Sequence, residues 1–268
     1  MAKVDHIGMF TTVDALEDPG VFIGLMDRVQ TAPDVQAARA DLLARLGLRP
    51  GDTVLDLGCG TGDHTREVAA LVAPGGQAVG VDFSTSMIGE ATGRQAASSA
   101  PARFEQGDAQ QLRFETGTFD ACRTERMLCH VPDCTAAIRE MVRVVRPGGR
   151  VGILDVDTAG TFIDSSDRAI TAAFVTTLTD AICNPWIGRA LRRELTEAGL
   201  VDIDVRPRVI EIGYGPVEPM IEMHSVLMEQ LGLEAGAVEA WRSELEYANL
   251  RGTFSMGMTM FSAVGRKP

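Results

Sequence analysis

The chain has 268 residues, 45% of them apolar, and a formal net charge of −12. That size supports one α/β domain with additions or two small domains; no run approaches the ~18–20 apolar residues of a membrane span, and so acidic a balance argues against nucleic acid, whose phosphates need a basic face. Five cysteines without a Cys-x-x-Cys pair, behind an N-terminus that lacks the signal-peptide pattern, predict reduced thiols in a cytoplasmic protein.

In chain order, Pro19 to Gln30 and Pro33 to Leu46 read as amphipathic helices. Phe22, Leu25, Met26 and Val29 recur at helical spacing in the first, and Val35, Leu42, Leu43 and Leu46 in the second. Gly47 closes the second helix, and Arg49-Pro50-Gly51-Asp52 turns into a strand. The strand, Val54-Leu55-Asp56-Leu57, runs into Gly58-Cys59-Gly60-Thr61-Gly62-Asp63, and helical periodicity follows from Thr65 to Val72. A strand, a tight turn and a helix start mark the place where open α/β sheets bind nucleotide-like ligands. A dinucleotide fingerprint would put its third glycine where Asp63 stands, and there is no Walker lysine. Asp56 and Asp63 flank the turn, so the expectation is that they repel phosphate and attract a ligand carrying an ammonium and a sulfonium. S-adenosylmethionine (SAM) has both, and the same argument opposes an NAD(P)-dependent oxidoreductase.

Ala78 to Ser84 reads as a second buried strand ending in Asp82, about 20 residues past the turn, where an acid accepts the ribose hydroxyls. A helix is expected over Ser86–Ser98. A third strand then runs into Gly107-Asp108-Ala109, with Asp108 placed to accept from an adenine amino group and Ala109 leaving room for the ring. Phe119 to Arg123 is a fourth strand, Cys134–Val145 a helix, and Val151 to Val156 a fifth strand after the turn Arg146-Pro147-Gly148-Gly149-Arg150. This alternation predicts a parallel sheet with helices on both faces. Further helices are expected over Asp167–Ile182, Ile187–Ala198, Val217–Leu231 and Ala235–Tyr247, with a sixth strand over Asp202–Ile212. Cys129 and Cys134 flank His130, but no further ligand cluster follows and no metal is assigned.

Together these segments resemble the class I SAM-dependent methyltransferases, in the small-molecule branch that includes quinone C-methyltransferases and natural-product tailoring enzymes. The resemblance is dense over residues 50–157 and looser beyond, where Phe254 to Lys267 is similar to the family's final antiparallel strand. It implies a Rossmann-like, doubly wound, mostly parallel seven-stranded sheet with an antiparallel last strand. It also implies an N-terminal helical cap over 1–49 and a SAM-binding domain over 50–268, with helical lid insertions near 158–188 and 213–251 for the acceptor. Carried over residue by residue, Asp56, Gly58, Cys59 and Gly60, with Thr61 adjacent, face the methionine moiety. Asp82 holds the ribose, Phe83 and Met87 cover an adenine face, and Gly107, Asp108 and Ala109 form the adenine segment. Arg123 serves through its backbone carbonyl, while Glu125 and Arg126 bind the amino-acid portion or an acceptor.

In the resembled family the stretch Thr124 to Asp133 crosses the pocket mouth. His130, with an ordinary pKa near 6.5, is therefore the candidate base; a histidine fixed by a backbone hydrogen bond and merely shaping the pocket is the alternative. The implied activity is methyl transfer to an O, N or C atom of a small molecule, largely by positioning. A protein of this fold that holds SAM for a non-methylating reaction such as cyclisation stays open, as does the oligomeric state.

Overall fold

The structure, a computed structural model, describes residues 13–15, 20, 23, 24, 27, 32–96 and 98–268. Phe22, Leu25, Met26 and Val29 of the first expected helix lie outside the described residues. The strands are β1 (Thr53–Leu57), β2 (Gln77–Asp82), β3 (Ala102–Gln106), β4 (Phe119–Glu125), β5 (Val145–Ile163), β6 (Val201–Glu211) and β7 (Met256–Arg266). The helices are α1 (Pro33–Leu46), α2 (Asp63–Val72), α3 (Thr85–Gln95), α4 (Cys134–Val144), α5 (Arg168–Asp180), α6 (Ile187–Glu197), α7 (Tyr214–Gln230) and α8 (Ala235–Leu250).

One seven-stranded sheet runs in the order β3-β2-β1-β4-β5-β7-β6. The β3-β2-β1-β4-β5 pairs are parallel, and β7 is antiparallel to both its neighbours. The doubly wound sheet with an antiparallel last strand is thus as expected. Strand order reverses between β1 and β4, the switch point where such sheets bind ligands beyond their carboxyl ends. Strands β1, β2 and β4 are buried along nearly their whole length because the sheet is covered on both faces. Helices α2 and α3 pack along β1, β2 and β3, and α4 along β4 and β5; α1 and α6 both pack on β5, β6 and β7.

Two differences from the expected layout have physical causes. The fifth strand does not stop at Val156; it continues to Ile163 because β7 supplies hydrogen-bond partners to that point, from Arg150↔Arg266 to Ile163↔Met256, across a bulge between Asp157 and Phe162. The second N-terminal helix, α1, is seated in the sheet core: Val35, Ala38, Leu42, Leu43 and Leu46 join the main apolar cluster. Among the described residues before α1, Val13 of the short 3₁₀ turn Val13–Ala15 lines the pocket.

The C-terminal insertions form a helical layer of their own. Helices α5, α7 and α8 pack on one another, with α5 against the distal half of β5. Trp241 is fully buried there, its indole N–H donating to Thr171 Oγ1 at 3.1 Å and its ring 5.3 Å from Phe174. His224 packs edge-on against the same Phe174 and meets Thr177 Oγ1 at 3.2 Å. Among the described residues, no helix is long and apolar enough to cross a membrane.

If α1 belongs to the core rather than to a detachable cap, Leu42→Ala should destabilise the fold by ~2–5 kcal/mol, the usual cost of emptying a packed aliphatic site. Urea denaturation followed by circular dichroism reads this directly; a loss below ~0.5 kcal/mol would show that the helix is not part of the cooperative unit.

Candidate cofactor site

Sheet register builds the site. Leu57 at the end of β1 is opposite Val81 of β2 on one side and Thr124 of β4 on the other. The next residues along, Asp82 and Glu125, therefore flank the turn that begins at Gly58. That turn is tight: Gly58, Gly60 and Gly62 all have positive φ (72°, 52° and 79°), which glycine adopts without steric cost. A side chain at Gly58 would run into Met127, and one at Gly62 into Phe104 and Ala91. The third glycine is thus required by packing of the helix start rather than by a ligand. The Gly60 N–H donates to Asp82 Oδ2 at 2.8 Å and the Ser84 N–H to Asp82 Oδ1 at 3.0 Å. Burial raises the Asp82 carboxyl above its ordinary value against the pull of these two N–H groups. Each oxygen has given up one lone pair, and a carboxylate offers about four acceptor sites. Capacity for two hydroxyl donors remains.

Beneath the turn is a chain of buried ion pairs. Asp56 accepts from Thr65 Oγ1 at 2.7 Å and pairs with Arg123 at 3.1 Å. Arg123, fully buried, reaches on to Glu125 at 2.7 Å. Glu125 takes two further bonds from Arg39 of α1, at 2.8 and 2.7 Å, and has His64 of α2 at 3.9 Å. Burial alone would raise the Glu125 carboxyl, but Arg39 and the charges of His64, Arg123 and Arg126 outweigh it and hold it far below the usual carboxylate range. Asp56 accordingly faces inward and does not line the cavity. Asp63 is bonded to Arg66 and Arg94 on the outer side of α2, and Thr61 donates to it at 3.0 Å. The expectation that Asp56 and Asp63 present bare charge to a ligand is corrected: Arg123 pairs with Asp56, and Arg66 and Arg94 pair with Asp63. Cys59 is buried, with its thiol pushed well up by burial and by the Asp82 and Asp56 charges.

The cavity at the switch point encloses about 430 Å³. Of the residues singled out in sequence, Gly58, Gly60, Asp82, Phe83, Met87, Gly107, Asp108, Ala109, Glu125 and His130 line it; Asp56, Cys59, Thr61 and Arg123 do not. Asp108 marks the end beyond β3, where one of its oxygens accepts the Gln110 N–H at 2.8 Å. Phe83 presents a ring that is 66% exposed, while Met87 is buried beneath. Val13 closes this side. Its neighbour Asp14 accepts from Ser84 Oγ at 2.6 Å and from the Thr85 and Ser86 N–H groups at 2.9 and 3.0 Å. These bonds, led by the Ser84 hydroxyl, lower the Asp14 carboxyl to about 2.

The opposite wall is residues 126–132, and two residues not anticipated from sequence hold it. Asn184, between α5 and α6, donates its side-chain amide to Leu128 O at 2.8 Å and Val131 O at 2.6 Å, and its backbone N–H to Cys129 O at 2.9 Å. Asp155 of β5, wholly buried, accepts the Leu128 N–H at 2.9 Å. Burial raises the Asp155 carboxyl to about 6, against the N–H groups of Val156 and Leu128. His130 differs from expectation in its chemistry: burial, then the nearby Arg126 charge, lowers it to about 4. Arg39 was also missed. Its signal was a charged residue inside the apolar stripe of α1, between Val35 and Leu42.

A Rossmann-like sheet of order 3-2-1-4-5-7-6 with an acid-flanked glycine turn at the switch point defines the class I methyltransferase fold. Residues 54–149 match the family model described as a methyltransferase domain. The chain is 36% identical over 187 residues to an uncharacterized 37.1 kDa protein in transposon TN4556 of Streptomyces fradiae, covering 69% of this chain and 54% of that protein. It is 32% identical over 160 residues to a demethylmenaquinone methyltransferase of Lactococcus lactis, covering 59% of this chain and 60% of that protein. Among solved structures, phosphoethanolamine N-methyltransferase 2 of Haemonchus contortus, in complex with phosphomonomethylethanolamine and S-adenosylhomocysteine, superposes with a TM-score of 0.65 at 19% identity over 98% of this chain and 61% of that one. Over residues 54–149 the chain matches the methyltransferase-domain family, and its fold is that of the class I SAM-dependent methyltransferases. It spans between half and three fifths of the length of these curated relatives.

The Asp155 contact gives a pH signature. Its folded pKa, about 6, exceeds the ordinary 3.8, so its contribution to stability is fully present below about 3.8 and is lost as pH rises through 6. The stability of Asp155→Asn relative to wild type should therefore increase by on the order of 3 kcal/mol between pH 4 and pH 7.5. Urea titrations across that range measure it, and a pH-independent gap would contradict the buried, raised carboxyl.

Proposed function

We propose that the protein is a SAM-dependent methyltransferase acting on an O, N or C atom of a small-molecule metabolite. The observation that carries this reading is the register that sets Asp82 and Glu125 on either side of a left-handed glycine turn, with Asp108 at the far end of the cavity. Bound SAM supplies a methyl group already attached to a good leaving group, a sulfonium that departs as a neutral thioether. Asp82 accepts the ribose hydroxyls with its remaining lone pairs, Asp108 receives the adenine amino group beside Ala109, and Phe83 and Met87 border the ring. Glu125 and the backbone of Gly58–Gly60 receive the amino-acid end. Cys59, Thr61, Asp56 and Arg123 act through the turn and the buried ion pairs beneath it rather than by touching the ligand.

The chain's part in the reaction is alignment and exclusion of water, which in favourable cases supplies ~7–11 kcal/mol. His130 lines the cavity and, lowered to about 4, is neutral across the physiological range; it is the candidate acceptor of a proton released by the methylated atom. Similarity to demethylmenaquinone methyltransferases supports a quinol-type ring among the first acceptors to try. Segment 158–188, which reaches the cavity wall through Asn184, and segment 213–251 belong to the acceptor side in this proposal, and a cytoplasmic setting fits its free thiols.

The test is release of S-adenosylhomocysteine from SAM with a panel of small phenols, quinols and amines, the products being weighed by mass spectrometry. Products heavier by one methyl group support the reading; turnover to products of unchanged mass would replace it by a non-methylating reaction. Asp82→Ala should weaken S-adenosylhomocysteine binding by ~1–3 kcal/mol, the usual cost of leaving buried polar groups unpaired, and unaltered affinity would remove Asp82 from the ribose site. His130→Ala should slow turnover at least ~10-fold with cofactor affinity kept. The wild-type rate should stay level from pH 8 to 5 and fall only near pH 4; a fall centred near 6.5 would contradict the lowered pKa.

A further inference from the structure

The turn that carries His130 is held largely from outside its own segment. Within it, the His130 N–H donates to Met127 O at 2.9 Å; the Leu128 N–H leaves it for Asp155 Oδ2 of β5, also at 2.9 Å. Three more of its backbone groups, the carbonyls of Leu128, Cys129 and Val131, end on the single residue Asn184, at 2.8, 2.9 and 2.6 Å. A carbonyl only accepts, so both amide hydrogens of Asn184 are committed and its partners settle which way the amide points. Leu128 and Cys129 are buried beneath the turn, whereas His130 lines the cavity. Asn184 is itself anchored to regular structure. Its carbonyl accepts the Ile187 N–H at the start of α6 at 3.2 Å. The next carbonyl, Pro185 O, accepts from Thr158 N–H and Oγ1 at 3.0 and 3.1 Å, inside the bulge of β5.

We propose that Asn184 is a positioning residue for His130: it keeps the imidazole seated in the cavity wall, shielded from water and facing the place where a methylated atom releases its proton. This rests on the reading of His130 given above and adds to it the residue that holds the histidine in place. Asparagine suits the task because it sets two N–H donors on one short side chain. Aspartate has the same shape but only acceptors, which would set a negative oxygen against Leu128 O and Val131 O; alanine reaches neither. Either change strands buried carbonyls, and the turn would open to regain water for them. Opening changes the surroundings of the imidazole. The charged and titratable groups around it are Arg126 on its own segment, Glu125 at the end of β4, and Asp82 and Asp108 across the cavity. Cys129 and Asp155 lie beneath the turn, and Asp133 stands at the head of α4. Carboxylates draw a histidine toward its protonated form, but burial first, and then Arg126, lowers this one to about 4. Relief of burial is therefore the change that a loosened turn reports.

The test follows the imidazole signals by proton–carbon NMR between pH 8 and 5 in wild type, Asn184→Asp and Asn184→Ala. The chain has four histidines, so the His130 signal is identified by its absence from His130→Gln. In wild type it should stay at its neutral position throughout. In both Asn184 variants it should titrate inside that range, its midpoint moving up toward the ordinary value as burial is relieved. With an acceptor from the panel above, the fall in rate on acidification should move up in the same way. Calorimetry with S-adenosylhomocysteine reports whether the pocket is folded. Its affinity should stay within about twofold of wild type, the tolerance for groups that share no partner, since strand register and not Asn184 places Asp82 and Glu125. A His130 signal that stays neutral in both variants would overturn the proposal. Loss of S-adenosylhomocysteine affinity in step with the histidine shift would reduce Asn184 to a structural support and overturn it as well. A wild-type chain that does not bind S-adenosylhomocysteine would sink the cofactor reading instead, with the histidine titration still deciding the role of Asn184.

Discussion

The chain of ion pairs from Asp56 through Arg123 and Glu125 to Arg39 is the contact on which the site depends. It joins β1, β4 and α1 immediately below the glycine turn, with Thr65 of α2 closing one end. Buried charges persist only when paired and hydrogen-bonded, and removing one member leaves the others uncompensated in a poorly polarisable interior. The chain therefore fixes four elements against one another at the carboxyl ends of the strands, where the ligand is to be held. It also leaves Asp82, Asp108 and Arg126 as the charged groups that line the cavity outside that chain.

This alters the reason a cationic donor suits the pocket. Two acids flanking the turn suggest a negative field, but Asp56 points into the protein and Asp63 is neutralised by Arg66 and Arg94. Selection rests instead on hydrogen-bond capacity at named places. Asp82 has one lone pair in use on each oxygen, the backbone of the turn is held by that same carboxylate, and no lysine or arginine cluster faces the position a pyrophosphate would take among the described lining residues. The ligand assignment is the same, but its physical cause is different.

Much of the sheet was legible because its signals are local. Apolar runs ending in Asp82 or in Gly107-Asp108-Ala109, and periodic stretches such as Ile187–Glu197, declare themselves within a dozen residues. The strand β5 was read short because its extension is dictated by β7, about a hundred residues later, and nothing between Asp157 and Ile163 announces that partner. The same limit hid the state of the site's charges. Arg123 for Asp56, Arg39 for Glu125 and Arg94 for Asp63 come from other elements, and the depressed basicity of His130 comes from burial that no motif encodes. Arg39 left a trace, as a charge within an apolar stripe; Asn184 left none, since one asparagine in a polar connection looks like any other.

The insertions take on a clearer meaning from the same contacts. By clamping three carbonyls of residues 126–132, Asn184 makes segment 158–188 a buttress of the cavity wall, while α5, α7 and α8 form a separately packed layer around Trp241. Rigid support of this kind suits a reaction that depends on alignment, because small displacements of the wall would misdirect the methyl group. The most direct measurement of the account is a side-by-side calorimetric titration of the wild-type chain with SAM and with NADH. One-to-one saturable heat with SAM and none with NADH is predicted; saturation by NADH with no response to SAM would contradict it.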